Sequence, residues 1–217
     1  MVAHIIETTG VVPVVVLKSA HDAQPLADAL FAGGISLMEV TFRTTAAAQA
    51  IGILAEDPRL VVGAGTVLTE AHLEDALAAG AKFIVTPGFS RKIVRACLAA
   101  GVPVFPGVAT ATEIQAALEE GLRTVKFFPA GTSGGAAAVK ALSAPFTTMH
   151  FIPTGGITAD NMDDYLRLPS VLAIGGTWMV APDLITAGNY DAVTALSRDA
   201  LEHVARNRPN VLRGVNS

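Results

Sequence analysis

Cysteine is almost absent: Cys97 is the only one, so no disulfide can close within the chain. Its apolar neighbours Ala96 and Leu98 mark it as a small buried hydrophobe rather than a nucleophile. Charge is also scarce, at 16% of 217 residues, with a formal net charge of −4. That balance leaves no basic footprint for nucleic acid. No apolar run approaches the roughly 20 residues of a membrane span. The first residues lack the basic segment and apolar core of a secretory signal. The five histidines, His4, His21, His72, His150 and His203, include no pair at zinc-ligand spacing. These absences lead us to expect a soluble cytoplasmic protein with no metal, no cofactor, and neither nucleic acid nor membrane as a partner.

Apolar residues are abundant, at 51%. A chain so rich in them must bury much of itself, which argues against disorder. The length suits one domain with a sizeable core. We read residues 1–217 as that domain, with a short N-terminal lead and a polar tail from about 206 that carries Arg206, Arg208 and Arg213.

One rhythm repeats along the chain. A Val- and Ile-rich run is followed by an Ala-rich helical segment that ends near Gly, and then the next run begins. The expected strands are 11–17, 37–42, 60–67, 83–87, 102–108, 124–129, 150–155 and 171–174. The expected helices are 21–32, 45–56, 69–79, 90–100, 110–120, 134–142, 161–168 and 191–207. Gly33, Gly80, Gly101 and Gly121 follow helices and suit the left-handed residue that ends one. Thr69, Ser90 and Thr110 precede helices and can cap them, and Thr110 with Glu113 has capping-box spacing. Strands apolar on both faces imply a parallel sheet covered on both sides. Eight strand–helix units favour a single α/β domain of the (β/α)8 TIM-barrel type over an open doubly wound sheet.

Two strands break the apolar rule. Glu39, Thr41 and Arg43 alternate along the second, and Lys126 interrupts the sixth. In a barrel both faces can point inward and meet. One reading is a structural Glu–Lys ion pair. A buried pair is a weak stabiliser beside apolar packing, so a functional reading is preferred. A lysine amine must shed its proton to attack a ketone, and an apolar wall such as Phe128 disfavours the charged form. The iminium formed next draws electrons from the adjacent bond and permits C–C cleavage without a metal.

The turns after the seventh and eighth strands carry Thr154-Gly155-Gly156 and Gly175-Gly176-Thr177. In barrels of this type these loops often cradle a phosphate. Gly63-Ala64-Gly65-Thr66 ends the third strand, where Thr66 can donate to a carboxylate. Pro87 ends the fourth and shapes the wall.

Glu39-Val-Thr-Phe-Arg43-Thr44, Val62-Gly-Ala-Gly-Thr66-Val67, Lys126-Phe-Phe-Pro-Ala130, Pro153-Thr-Gly-Gly-Ile157 and Gly175-Gly-Thr-Trp178 occur in this order. Together they resemble the 2-keto-3-deoxy-6-phosphogluconate (KDPG) and 4-hydroxy-2-oxoglutarate (KHG) aldolase family, over about residues 8 to 205. The resemblance implies a metal-free class I aldolase, usually a homotrimer, that cleaves KDPG to pyruvate and D-glyceraldehyde 3-phosphate in the Entner–Doudoroff route. It implies Lys126 as the Schiff-base lysine and Glu39 as the general acid/base. Arg43 and Thr66 become carboxylate binders, while Pro87, Phe128 and Thr154 line the pocket. Gly155, Gly156, Gly175, Gly176 and Thr177 become the phosphate site. Two positions depart from the pattern. Thr177 is often Ser in the family, and Thr45 replaces an acidic residue. A sister group acts on the galactonate epimer, but Arg43 and Thr154 favour the gluconate. Two other readings share the glycine turns: an isomerase or synthase that forms no imine, and a silent sugar-phosphate binder.

Overall fold

The computed structural model describes residues 2–208. Eight parallel strands form one sheet: β1 (Val11–Val15), β2 (Leu37–Thr41), β3 (Val61–Gly65), β4 (Ile84–Thr86), β5 (Val104–Val108), β6 (Thr124–Phe127), β7 (His150–Pro153) and β8 (Ile174–Gly176). Neighbours pair in chain order, and β8 pairs with β1. Single bridges from Phe151 to Val171 and from Thr154 to Gly175 join β7 to β8 and close the (β/α)8 barrel.

Most strands are followed by the helix that covers them. These helices are α2 (Ala23–Ala32), α3 (Ala47–Ala55), α4 (Glu70–Ala78), α5 (Arg91–Ala99), α6 (Ala111–Glu119), α7 (Gly135–Ser143) and α8 (Met162–Leu166). The last helix, α10 (Tyr190–Asn207), packs on α2 and α8 and completes the ring. Buried Val11, Val15, Val40, Val62, Val125 and Ile174 face these helices and form the main core.

The caps follow the sequence. Thr69 accepts from the His72 N–H and Ser90 from the Ile93 N–H. Thr110 and Glu113 form the full capping box, with the Glu113 carboxylate accepting from the N–H groups of Ala109 and Thr110. Burial raises the Glu113 pKa, but bonds from these N–H groups and from the Thr110 hydroxyl outweigh it, and the net direction is downward. The folded value therefore lies below the unfolded one, near 4.3. This stabilisation is complete above that pH and is lost as the pH falls through the folded value. Thr110→Ala should cost ~1 kcal/mol at neutral pH. Urea melts at pH 7 and pH 4 should show the gap between variant and parent narrowing in acid.

Several expectations need correction. Two helices were not anticipated. The first, α1 (Val2–Thr9), lies where a short lead was expected, and its Ile6 closes the floor of the barrel at 1% exposure. The second, α9 (Pro182–Thr186), is a single turn after the eighth strand. That strand begins at Ile174, not at 171, because its ladder with β1 starts at Ile174↔Val11. Gly175 and Gly176 are its last two residues and close it, with Thr177 just beyond. Gly33 is not left-handed (φ −80°); Gly34 is (φ +94°). Gly33 is needed for space instead, since a Cβ there would fall 2.5 Å from Ser197 Cβ.

Helix α10 runs through Asn207, and the Arg208 guanidinium then binds the carbonyls of Leu166, Val171 and Leu172. The Leu166 carbonyl ends α8 and those of Val171 and Leu172 precede β8, and the arginine fork satisfies all three. Arg213 and its neighbours lie outside the described residues. Cys97 is fully buried, and burial pushes its thiol up to about 11, which leaves it unreactive. His203 pairs with Asp163 at 2.8 Å. Among the described residues no three His, Cys, Asp or Glu side chains are grouped to hold a metal ion.

Candidate functional site

The charged strand residues meet inside the barrel. Lys126 comes inward from β6 and Glu39 from β2, across the sheet from each other. The Lys126 Nζ donates to Glu39 Oε1 at 3.3 Å, and the two residues are 4% and 3% exposed. Beneath them lie Val12, Phe83, Val85, Phe105, Ile152 and the Ile6 plug, all apolar. The aromatic pair in this floor, Phe83 and Phe105, meets edge to face at 6.0 Å. The Phe128 ring centroid stands 5.3 Å from Nζ. The amine therefore has one carboxylate partner and otherwise dry surroundings below.

Glycine makes room for that carboxylate. A Cβ on Gly65 would lie 2.0 Å from Glu39 Oε1 and 2.6 Å from its Cδ. On the same face of β3, a Cβ on Gly63 would enter the Phe83 ring. Gly107 on β5 leaves space for the Pro87 carbonyl, whose oxygen lies 2.1 Å from where its Cβ would be. Sequence reasoning placed Gly65 at the end of the third strand without giving it this role, and did not single out Gly107 or Phe105. The available signal was glycine within an otherwise buried strand, which marks a close approach.

Four residues of regular strand would place Arg43 about 13 Å from Glu39. The strand ends early. Thr41 is its last residue and donates to the Val15 carbonyl. Phe42 N–H still reaches Gly65 O at 2.7 Å, and the chain then turns, with the Thr44 hydroxyl donating to Leu17 O at 2.5 Å. The turn brings Arg43 Nε to Thr66 Oγ1 at 3.3 Å. Thr66 is held at φ +56°, the one non-glycine residue with positive φ among the described residues. For a β-branched residue this costs roughly 1–3 kcal/mol, and such strain concentrates at functional sites.

The glycine turns gather on the opposite rim. Thr154 is buried and packs over Gly175, where a Cβ would fall 2.3 Å from its Oγ1. Gly155 and Gly156 are left-handed, with φ of +93° and +76°. Their carbonyls are held by other groups: Gly131 N–H binds Gly155 O at 2.9 Å, and the Asn161 amide binds Gly156 O at 2.9 Å. Asn161 also accepts from Thr158 N–H at 2.9 Å, a bracing role that sequence reasoning missed. The N–H groups of Gly156 and Thr177 donate to no acceptor among the described residues. Such converging free donors suit an anion. Phe128 packs on Gly155, with ring carbons 3.2 Å from where its Cβ would be, and so couples the lysine wall to this rim. The structure thus pairs Lys126 with Glu39, Arg43 with Thr66, Thr154 with Gly175, and Phe128 with Gly155. Pro87 sits half-buried on the β4 rim beside Gly107, and the exposed Thr177 follows β8.

The family model for KDPG and KHG aldolase matches residues 2–196. The 2-dehydro-3-deoxy-phosphogluconate aldolase of Treponema pallidum (strain Nichols) is 50% identical over 200 residues, 92% of this chain and 95% of its own. Among solved structures, a KDPG aldolase from Legionella pneumophila, with pyruvate captured at low pH as a covalent carbinolamine intermediate, matches with a TM-score of 0.89. It is 40% identical and covers 92% of this chain and 98% of its own. The 2-keto-3-deoxy-6-phosphogluconate aldolase of Zymomonas mobilis ZM4 with 3-phosphoglycerate matches at 0.84 and 41% identity, covering 90% and 92%. The chain belongs to the KDPG and KHG aldolase family.

Proposed function

We propose that this chain is a class I aldolase that cleaves KDPG to pyruvate and D-glyceraldehyde 3-phosphate through an imine on Lys126. The observation that carries the reading is the buried amine with one carboxylate at 3.3 Å. An isomerase of similar shape has no use for it. The Legionella enzyme's covalent pyruvate adduct and the phosphate compound bound by the Zymomonas enzyme support the same chemistry.

The Lys126 amine adds to the C2 ketone, and the carbinolamine loses water as Glu39 supplies a proton. Glu39, through a water, then takes the C4 hydroxyl proton. The C3–C4 bond breaks, its electron pair passes into the iminium, and the aldehyde leaves. The enamine takes a proton at C3 from Glu39, and water releases pyruvate and the free amine. Arg43 and Thr66 hold the carboxylate, which fixes the C2 carbon over the amine. Thr154 faces the C4 hydroxyl, and Pro87 and Phe128 wall the pocket. Gly155, Gly156, Gly175, Gly176 and Thr177 bind the phosphate. The Arg43–Thr66 pair and Thr154 support the gluconate epimer. The family resemblance supports a homotrimer and a cytoplasmic setting, and light scattering on the eluted protein checks the former.

A coupled assay of pyruvate release from the gluconate and galactonate substrates tests the assignment. Faster turnover of KDPG is expected, and release from neither substrate would defeat the reading. Gly65→Ala offers a sharper check. The new methyl displaces the Glu39 carboxylate by at least an ångström, and such a shift costs about 10²-fold in kcat. KM should move little and the melting curve should remain cooperative.

A further inference from the structure

We propose that Trp178 is a positioning residue that sets the phosphate end of the site by packing on the bare Cα of Gly176, which selects phosphorylated over unphosphorylated substrates. The inference rests on the aldolase reading above. A Cβ on Gly176 would fall 1.9 Å from Trp178 Cζ3 and 2.5 Å from Cε3, so the six-membered ring occupies the space a side chain would take. Gly175 faces into the barrel, toward Thr154. By the alternation of a strand, Gly176 faces outward, and the indole backs β8 from behind. The short 3-10 turn Trp178–Val180 that carries the ring packs against β1 and α10. It therefore cannot retreat without moving the ring of helices.

The indole N–H is buried and has no hydrogen-bond partner among the described residues. No hydrogen bond anchors the ring, so shape alone seats it against the Gly176–Thr177 peptide, which the pairing of Gly176 with Pro13 holds from the β1 side. That peptide's N–H, on Thr177, is one of the free donors at the rim. Tilting it out of line removes a hydrogen bond to a charged ligand without touching Lys126 on β6 or Glu39 on β2, each two strands away.

The test compares KDPG with 4-hydroxy-2-oxoglutarate, which offers no phosphate. Trp178→Leu should raise KM for KDPG about tenfold, the loss of roughly one hydrogen bond to an anion, with kcat little changed. Turnover of 4-hydroxy-2-oxoglutarate should stay at the parent level, which also shows that the variant has folded. Trp178→Phe keeps a flat ring and dispenses with the N–H, so it should restore most of the KDPG affinity. Gly176→Ala should raise KM for KDPG because its methyl meets the indole. Combined with Trp178→Leu it should do no further harm, since the leucine vacates that space. Equal losses on both substrates, strictly multiplicative losses in the double variant, or no rescue by phenylalanine would each overturn the proposal. A parent enzyme that cleaves neither substrate would instead defeat the aldolase reading itself.

Discussion

Lys126→Met should lower KDPG cleavage by about 10⁴-fold or more, because no other step can proceed without the amine. The thioether chain matches the lysine stem in length and keeps the apolar floor covered. It also strands Glu39, which is 3% exposed and has lost its 3.3 Å partner. Leaving one member of a buried pair uncompensated typically costs ~3–5 kcal/mol. A weaker fold could therefore be mistaken for lost chemistry. The double variant Lys126→Met/Glu39→Met separates the two effects. Replacing a buried pair by apolar side chains of similar volume is often neutral or stabilising. The double variant should melt at or above the parent temperature and remain inactive. Full lyase turnover in either variant, measured as pyruvate release, would refute the imine route.

Glu39→Gln should reduce kcat by ~10²–10⁴-fold, the usual contribution of a positioned proton carrier. The amide keeps the carboxylate's shape and its place over Gly65, so binding should change less than turnover. The two half-reactions should part company. Adduct formation with pyruvate should persist at a reduced rate. Exchange of the pyruvate methyl protons with deuterated water, which requires proton transfer at C3, should nearly vanish in the proton NMR spectrum. Exchange at the parent rate would move the acid/base role to another group.

The barrel and the centre of its site were legible from the chain for one reason. Strands buried on both faces are uniformly apolar, so Glu39 and Lys126 stood out against Val, Ile and Phe. The rest depended on long-range geometry. Helix α1 is short, and only its packing beneath the strands makes Ile6 a floor. The start of β8 is set by its ladder with Val11, which no local pattern announces. Gly33 and Gly34 are adjacent glycines: Gly34 takes the left-handed turn, and Gly33 is needed for its contact with Ser197, far along the chain. The role of Gly65 was not visible because the carboxylate it admits comes from another strand. A regular strand continued through position 43 would carry Arg43 about 13 Å from Glu39. Ending the strand at Thr41 answers that, at the cost of strain at Thr66. Asn161 and Trp178 were passed over since each acts on backbone, and neither carries a charge to draw notice.

Cleavage depends on one nitrogen condensing with a keto acid, and borohydride reduction in the presence of pyruvate tests that directly. The folded enzyme is incubated with pyruvate, reduced, digested with trypsin and mapped by mass spectrometry. A three-carbon adduct should appear on Lys126, within an uncut peptide spanning 124–140, with loss of activity in proportion to labelling. An active enzyme whose Lys126 emerges unmodified, or whose adduct sits on another lysine, would contradict the account.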